Sequence, residues 1–276
     1  GRDASARGIA VVMMVMTLGS ALSPAVGAWI TEGLGWRPIF LLLAVVGAAV
    51  LAWTVRRLGE TRAEPLPLNT AEISRTYGLF LRSRPFMCFA LCTSFTSASW
   101  FTFIANAPGL MSETLHEPPS TYGLMIIMPM LTYMLGNGMA TRLALRLGAN
   151  AMIMLGVALS LVSGTAMAVW CVYPGLSSWA LFLPMALSSV GNGLSQPSAM
   201  ASGLSIYPRV AGTASGFIGF LQMAISALGT LVVGFLPHDG AAAMVAVVLA
   251  TQVLAVVLGM VAVRRPAGGL ATPAPA

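Results

Sequence analysis

Three side-chain amides stand at similar depth in neighbouring apolar stretches: Asn192 and Gln196 in "SVGNGLSQPSAMASG", and Gln222 in "SGFIGFLQMAIS". Asn106 and Asn137 mark two further stretches of the same kind. An amide offers a neutral donor and a neutral acceptor, so it recognises a polar group without ionising. In an apolar medium it costs free energy unless partnered, and so turns to a bundle interior or a wet cavity. The plainer alternative is hydrogen bonding between helices, each bond contributing about 0.6 kcal/mol. Trp100, Phe101 and Phe103 crowd into "SASWFTFIANAPGLM", and Met13, Met14 and Met16 cluster upstream. Such surfaces accept apolar ligands of varied shape, or simply pack and face lipid. Cys88 and Cys92 share a helix face, but with no His or carboxylate nearby they read as small apolar residues, not a metal pair. His116 and His238 fall in polar connections and read as solvated. No His, Cys and carboxylate set converges at one depth, so no enzyme activity, metal or cofactor is expected.

The elements holding these residues are too apolar for a soluble domain. Of 276 residues, 57% are hydrophobic and 8% charged, with a mean hydropathy of +0.86. A soluble domain carries roughly a quarter charged residues, so the chain belongs in a lipid bilayer. The net charge of +6 comes from scattered arginines at segment ends, with no lysine, which does not suit nucleic acid. A spanning helix needs about 20 apolar residues, and eight stretches qualify: 8–30, 37–56, 85–108, 122–145, 150–171, 178–205, 211–236 and 241–263. Turn chemistry separates them in "TEGLGWRP", "HEPPSTYG", "RLGAN", "VYPGLSS", "IYPRVAG" and "PHDG". Segments this long without period-two alternation exclude a barrel. Pro24, Pro129, Pro184 and Pro197 lie inside spans, as membrane bundles tolerate.

One long polar connection, with Pro65 and Pro67, divides the spans into two and six. The expected organisation is residues 1–56 as two helices of one bundle, 57–84 as a cytoplasmic linker, 85–265 as a six-helix bundle and 266–276 as a disordered tail. Threading eight spans with both termini in the cytoplasm puts every arginine but Arg37 inside, the bias expected of a membrane protein.

The stretch "TLGSALSPAVGAWITEGLGWRPIF" resembles the fifth-helix antiporter signature of the major facilitator superfamily. Gly19, Pro24 and Gly27 match that packing motif, while Ala10, Ser23 and Ala28 stand where the family usually has glycine. "GWRPIF" resembles the start of its sixth helix and "LGET" its exit. "LSQPSAMASG" followed by "PRVAGTASGFIGFLQ" is similar to the tenth-to-eleventh helix passage of the Bcr/CflA-type drug resistance transporters, with Ala211, Gly212, Ala214 and Ser215 carrying the match. "APGLMSETLHEPPSTYGLM" resembles that branch's seventh-to-eighth helix connection. The resemblance implies helices five to twelve of that fold without the first four, and Ser20-Ala21-Leu22 recurring as Ser226-Ala227-Leu228 fits its parallel repeats.

The function so implied is secondary transport in a bacterial inner membrane, with efflux of small amphipathic compounds coupled to protons. Trp100, Phe103, Asn192, Gln196 and Gln222 are the expected substrate contacts. The first, third, fourth, sixth and seventh spans would line the cavity, the others supporting them from the lipid side, and the missing helices would be needed for activity. Two alternatives stand: transport of a specific polar metabolite on the same fold, and a helical fragment that transports nothing.

Overall fold

The computed structural model describes residue 30 and residues 33–57, 70–173, 175–236 and 241–264. The expected span at 8–30, and with it Gly19, Pro24 and Gly27, lies outside the described residues, as does His238. Every regular element among the described residues is helical. The chain divides into two compact units, residues 1–68 and 69–276.

In the first unit α1 (Arg37–Arg57) forms from an unbroken apolar run ended by Arg56 and Arg57, cations that complement the negative end of the helix dipole. Trp36 meets Phe40 edge-on at 5.8 Å, and the Arg37 guanidinium lies 5.0 Å from the Trp36 ring centroid. This aromatic–arginine pairing suits the membrane–water boundary.

The second unit opens with a finding. Residues 70–82, expected to be linker, form helix α2 (Thr70–Arg82). Ile73, Tyr77 and Phe80 recur at helical spacing in this polar segment, a short amphipathic pattern easily passed over in a search for spans. Phe80 is fully buried, stacked on Phe86 at 4.8 Å and packed near Tyr207 and Phe217 at 5.4 and 5.7 Å. These partners come from the first turn of α3 (Arg84–Gly109), the end of α6 (Ser178–Ile206) and the second turn of α7 (Ala211–Phe235). One aromatic cluster thus ties α2 to three helix ends.

The third span runs longer than expected, because α3 continues through a π-helical turn at Leu110–Thr114. A short helix α4 (Pro119–Met125) follows. The fourth and fifth spans then run as α5 (Ile127–Val172), two arms joined at Gly148, whose φ of 81° and ψ of 161° are the helix's one non-helical setting. That left-handed φ favours a residue without Cβ. Finally α8 (Ala242–Arg264) completes the unit. Along the interior, α6 packs on both arms of α5, while α3 packs on α6, α7 and α8.

Among the described residues, six helices are long and apolar enough to cross a membrane: 37–57, 84–114, 120–144, 146–172, 208–235 and 242–264. The 29-residue α6 is long enough but outside that set. Its serines, Asn192 and Gln196 lower its hydropathy, and most of them are buried inside the unit. Hydroxyls in such helices satisfy themselves on the preceding turn: Ser189 donates to the Met185 carbonyl at 2.9 Å, Ser195 to Gly191 at 2.9 Å, and Ser94 to Ala90 at 2.7 Å.

Candidate functional site

The amides of α6 reach the interior because glycines let its neighbours in. A Cβ on Gly193 would lie 2.6 Å from the Tyr133 carbonyl oxygen and 2.7 Å from the Asn137 nitrogen, on the first arm of α5. A Cβ on Gly191 would strike the Gly156 carbonyl and lie 2.5 Å from Ser160 Oγ, on the second arm. Backbone therefore meets backbone on both sides of Asn192, the close approach that small residues permit between membrane helices. Ser177 caps the start of α6, accepting from the Ala180 amide at 3.2 Å. Pro184 and Pro197 interrupt its backbone ladder.

On this scaffold Gln196 is held from two helices. Its Nε2 donates to Ser97 Oγ of α3 at 2.6 Å, and its Oε1 accepts from the Tyr133 hydroxyl of α5 at 3.0 Å. One turn earlier, buried Asn192 accepts at Oδ1 from Ser160 Oγ at 3.0 Å. Ser160 also stands 3.0 Å from the Gly156 carbonyl and 3.2 Å from that of Ser188, so three acceptors compete for one hydroxyl proton. Asn192 and Gln196, four residues apart, share one helix face.

A second buried amide stands nearby in the same interior, one that sequence reasoning missed. Gln252 of α8 is 2% exposed, and its Nε2 donates to Ser99 Oγ at 3.3 Å and Ser188 Oγ at 3.0 Å. Its Oε1 is buried without a donor and packs on Gly164, where a Cβ would overlap it. The signal was available: a glutamine in the middle of "AVVLATQVLAVVLG" is as conspicuous as Gln222. The eighth span, expected on the lipid side, instead turns this glutamine inward.

The other expected contacts are placed differently. Trp100, one residue beyond Ser99, is half-buried against the apolar core. Phe103 is wholly buried in that core, edge-on to Phe182 at 5.2 Å. Gln222 is half-buried on α7, and among the described residues no side-chain hydrogen bond joins it to Asn192 or Gln196. Asn106 folds back on α3, donating to the Thr102 carbonyl at 2.8 Å.

Every buried polar side chain among the described residues is a serine, threonine, asparagine or glutamine. Of the described carboxylates whose side chains are placed, Glu113 is exposed and Glu117 half-buried, both beyond the far end of α3. Among the described residues no group of His, Cys, Asp and Glu is arranged to hold a metal ion. Among the described residues the interior is thus a neutral hydrogen-bonding network set among apolar side chains.

The sequence profile of the Major Facilitator Superfamily matches residues 1–108 and 89–276. A "Bicyclomycin resistance protein homolog" from Haemophilus influenzae is 24% identical over 260 residues, covering 92% of this chain and 64% of the relative. "Multidrug resistance protein D" of Escherichia coli is 26% identical over 219 residues, 79% of this chain and 55% of its own length. A "Chloramphenicol resistance protein" from Pseudomonas aeruginosa is 25% identical over 272 residues, 97% of this chain and 63% of its own length. The chain thus spans less than two thirds of these curated relatives.

Proposed function

The chain belongs to the Major Facilitator Superfamily, and from that premise we propose that it forms part of a proton-coupled exporter of small amphipathic compounds in a bacterial inner membrane. Transport proceeds by alternating access, two bundles rocking about a site near the bilayer midplane. The described helices of the second unit are the C-terminal bundle, and residues 1–56 belong to its partner bundle, with Gly19, Pro24 and Gly27 as a close-packing motif. The carrying observation is Gln196, held between Ser97 and Tyr133 where no charged side chain is buried among the described residues.

Asn192 and Gln196 exchange these internal partners for the polar groups of the substrate. Trp100 provides an apolar wall with Phe103 behind it, and Gln222 adds a contact from α7. A neutral site favours amphipathic compounds over charged metabolites, because it offers no ionised partner to offset a buried charge. The relatives named for drug resistance support the same class. The carboxylate that carries the proton then lies outside the second unit.

The test is Gln196→Leu in the intact gene product. Two interhelical hydrogen bonds contribute about 1 kcal/mol together, too little to unfold the bundle. Resistance to ethidium is expected to vanish at normal membrane abundance, and normal protection would sink the site. Orientation is tested separately by reporter fusions. Those at Glu113, Gly175 and His238 are expected in the periplasm, those at Glu64 and Arg209 in the cytoplasm, and one inverted reporter overturns the threading.

A further inference from the structure

Helices α3 and α6 are bridged twice. The direct bridge is Gln196 on Ser97, 2.6 Å long. The indirect one is Gln252, whose single amide nitrogen spans Ser99 of α3 and Ser188 of α6. The two levels are close along α3, where Ser99 lies two residues from Ser97, and about 12 Å apart along α6, where Ser188 stands two turns before Gln196. Gln252 is too buried to meet a substrate while the bundle keeps this packing.

Its environment is built to hold it in one place. Gly164 leaves the space its carboxamide occupies, so the second arm of α5 backs the amide while its nitrogen faces the two serines. Its buried oxygen lacks a donor. An orphaned buried acceptor is unfavourable, and an apolar residue of similar shape would avoid leaving one. The amide thus trades a donor for its oxygen against two bonds from its nitrogen that tie α3 to α6, which points to a role in setting that pair.

We propose that Gln252 is a positioning residue for the substrate site, setting the spacing of α3 and α6 so that Gln196 and Ser97 meet. The inference rests on the reading of Gln196 as a substrate contact. Removing the Gln252 bridge lets Ser188 part from Ser99, and the amide of Gln196 then presents itself to the ligand at the wrong separation from Trp100. Gln252 therefore acts through Gln196 rather than beside it.

A double-mutant cycle distinguishes the two. Ethidium is titrated into the purified intact protein and into Gln196→Leu, Gln252→Leu and the double variant. Each single change is expected to weaken ethidium binding about tenfold, and the double variant to bind no more weakly than either, because coupled residues are not additive. A double variant weakened by the product of the two effects means that Gln252 acts independently, and overturns the proposal. So does unchanged binding in Gln252→Leu. Unchanged binding in Gln196→Leu instead strikes the site itself, and the positioning role falls with it. Should Gln252→Leu fail to accumulate, Ser188→Ala removes one arm of the bridge and the same non-additivity with Gln196→Leu is required.

Discussion

Leucine at Gly191 is expected to leave no folded bundle. A Cβ there meets the Gly156 carbonyl, Ser160 Oγ and, at 3.0 Å, the Ser160 amide nitrogen. The reverse holds at Gly156, whose Cβ would strike the Gly191 carbonyl and lie 2.7 Å from the Ser195 nitrogen. Backbone atoms cannot swing aside as a side-chain tip does, so the helices must separate. Overpacking costs about 1–3 kcal/mol even where a core yields, and this seam yields only by losing Ser160 from Asn192. Gly191→Leu and Gly156→Leu are expected to fall to background in membrane abundance. Substitution to leucine at Gly212, where a Cβ would meet nothing within 4 Å, is the matched control and is expected to accumulate normally. Normal accumulation of Gly191→Leu would mean that α5 and α6 do not touch along this line.

The second large effect is expected at Phe80. Truncating a buried phenylalanine costs about 3–5 kcal/mol, and here the ring is shared among Phe86, Tyr207 and Phe217. Phe80→Ala should lower the thermal midpoint of the detergent-solubilised protein by roughly 10 °C. Phe80→Leu keeps most of the apolar volume and should lose less than half of that. A shift of a degree or two in Phe80→Ala would show that α2 adds nothing to the bundle.

How far the sequence could be read follows from which forces act over short range. Long runs that are almost wholly apolar name α1, α7 and α8 directly, since about twenty such residues have few alternatives to crossing a bilayer. Gly148 was visible as a turn within "RLGAN", but not that the chain would bend there at one residue, because the fit of two arms against α6 is a tertiary matter. Helix α2 was hidden by its own polarity: Arg75 and Arg82 make it read as linker, and only Phe86, Tyr207 and Phe217, distant in the chain, give Phe80 a place to go. At the site, Asn192 and Gln196 stood out because an amide in an apolar run has to be accounted for. Their partners Ser97, Tyr133 and Ser160 did not, since a serine in a membrane helix is ordinarily content with its own carbonyl. Gln222 stood out for the same reason, and it is half-buried on α7 with no side-chain hydrogen bond to Asn192 or Gln196 among the described residues.

The seam between α5 and α6 has a mechanical consequence. Interlocking side chains fix the register of most packed helices, because each knob must climb out of its hole before the rods can shift. At Gly136, Gly156, Gly191 and Gly193 backbone lies against backbone, and the interlocking side chains stand to either side, as Leu194 does against Ala140 and Met152. Axial register along this stretch therefore rests on those flanking side chains and on a few pins: the Thr132 hydroxyl on the Ala186 carbonyl at 2.7 Å, the Tyr133 hydroxyl on Gln196 at 3.0 Å, and Ser160 on Asn192. The Ser160 pin has three seats for one proton, so a small slide trades one acceptor for another instead of breaking a bond outright. Along its glycines the helix that carries both amides thus rides on a bearing, with a detent where most helices have teeth.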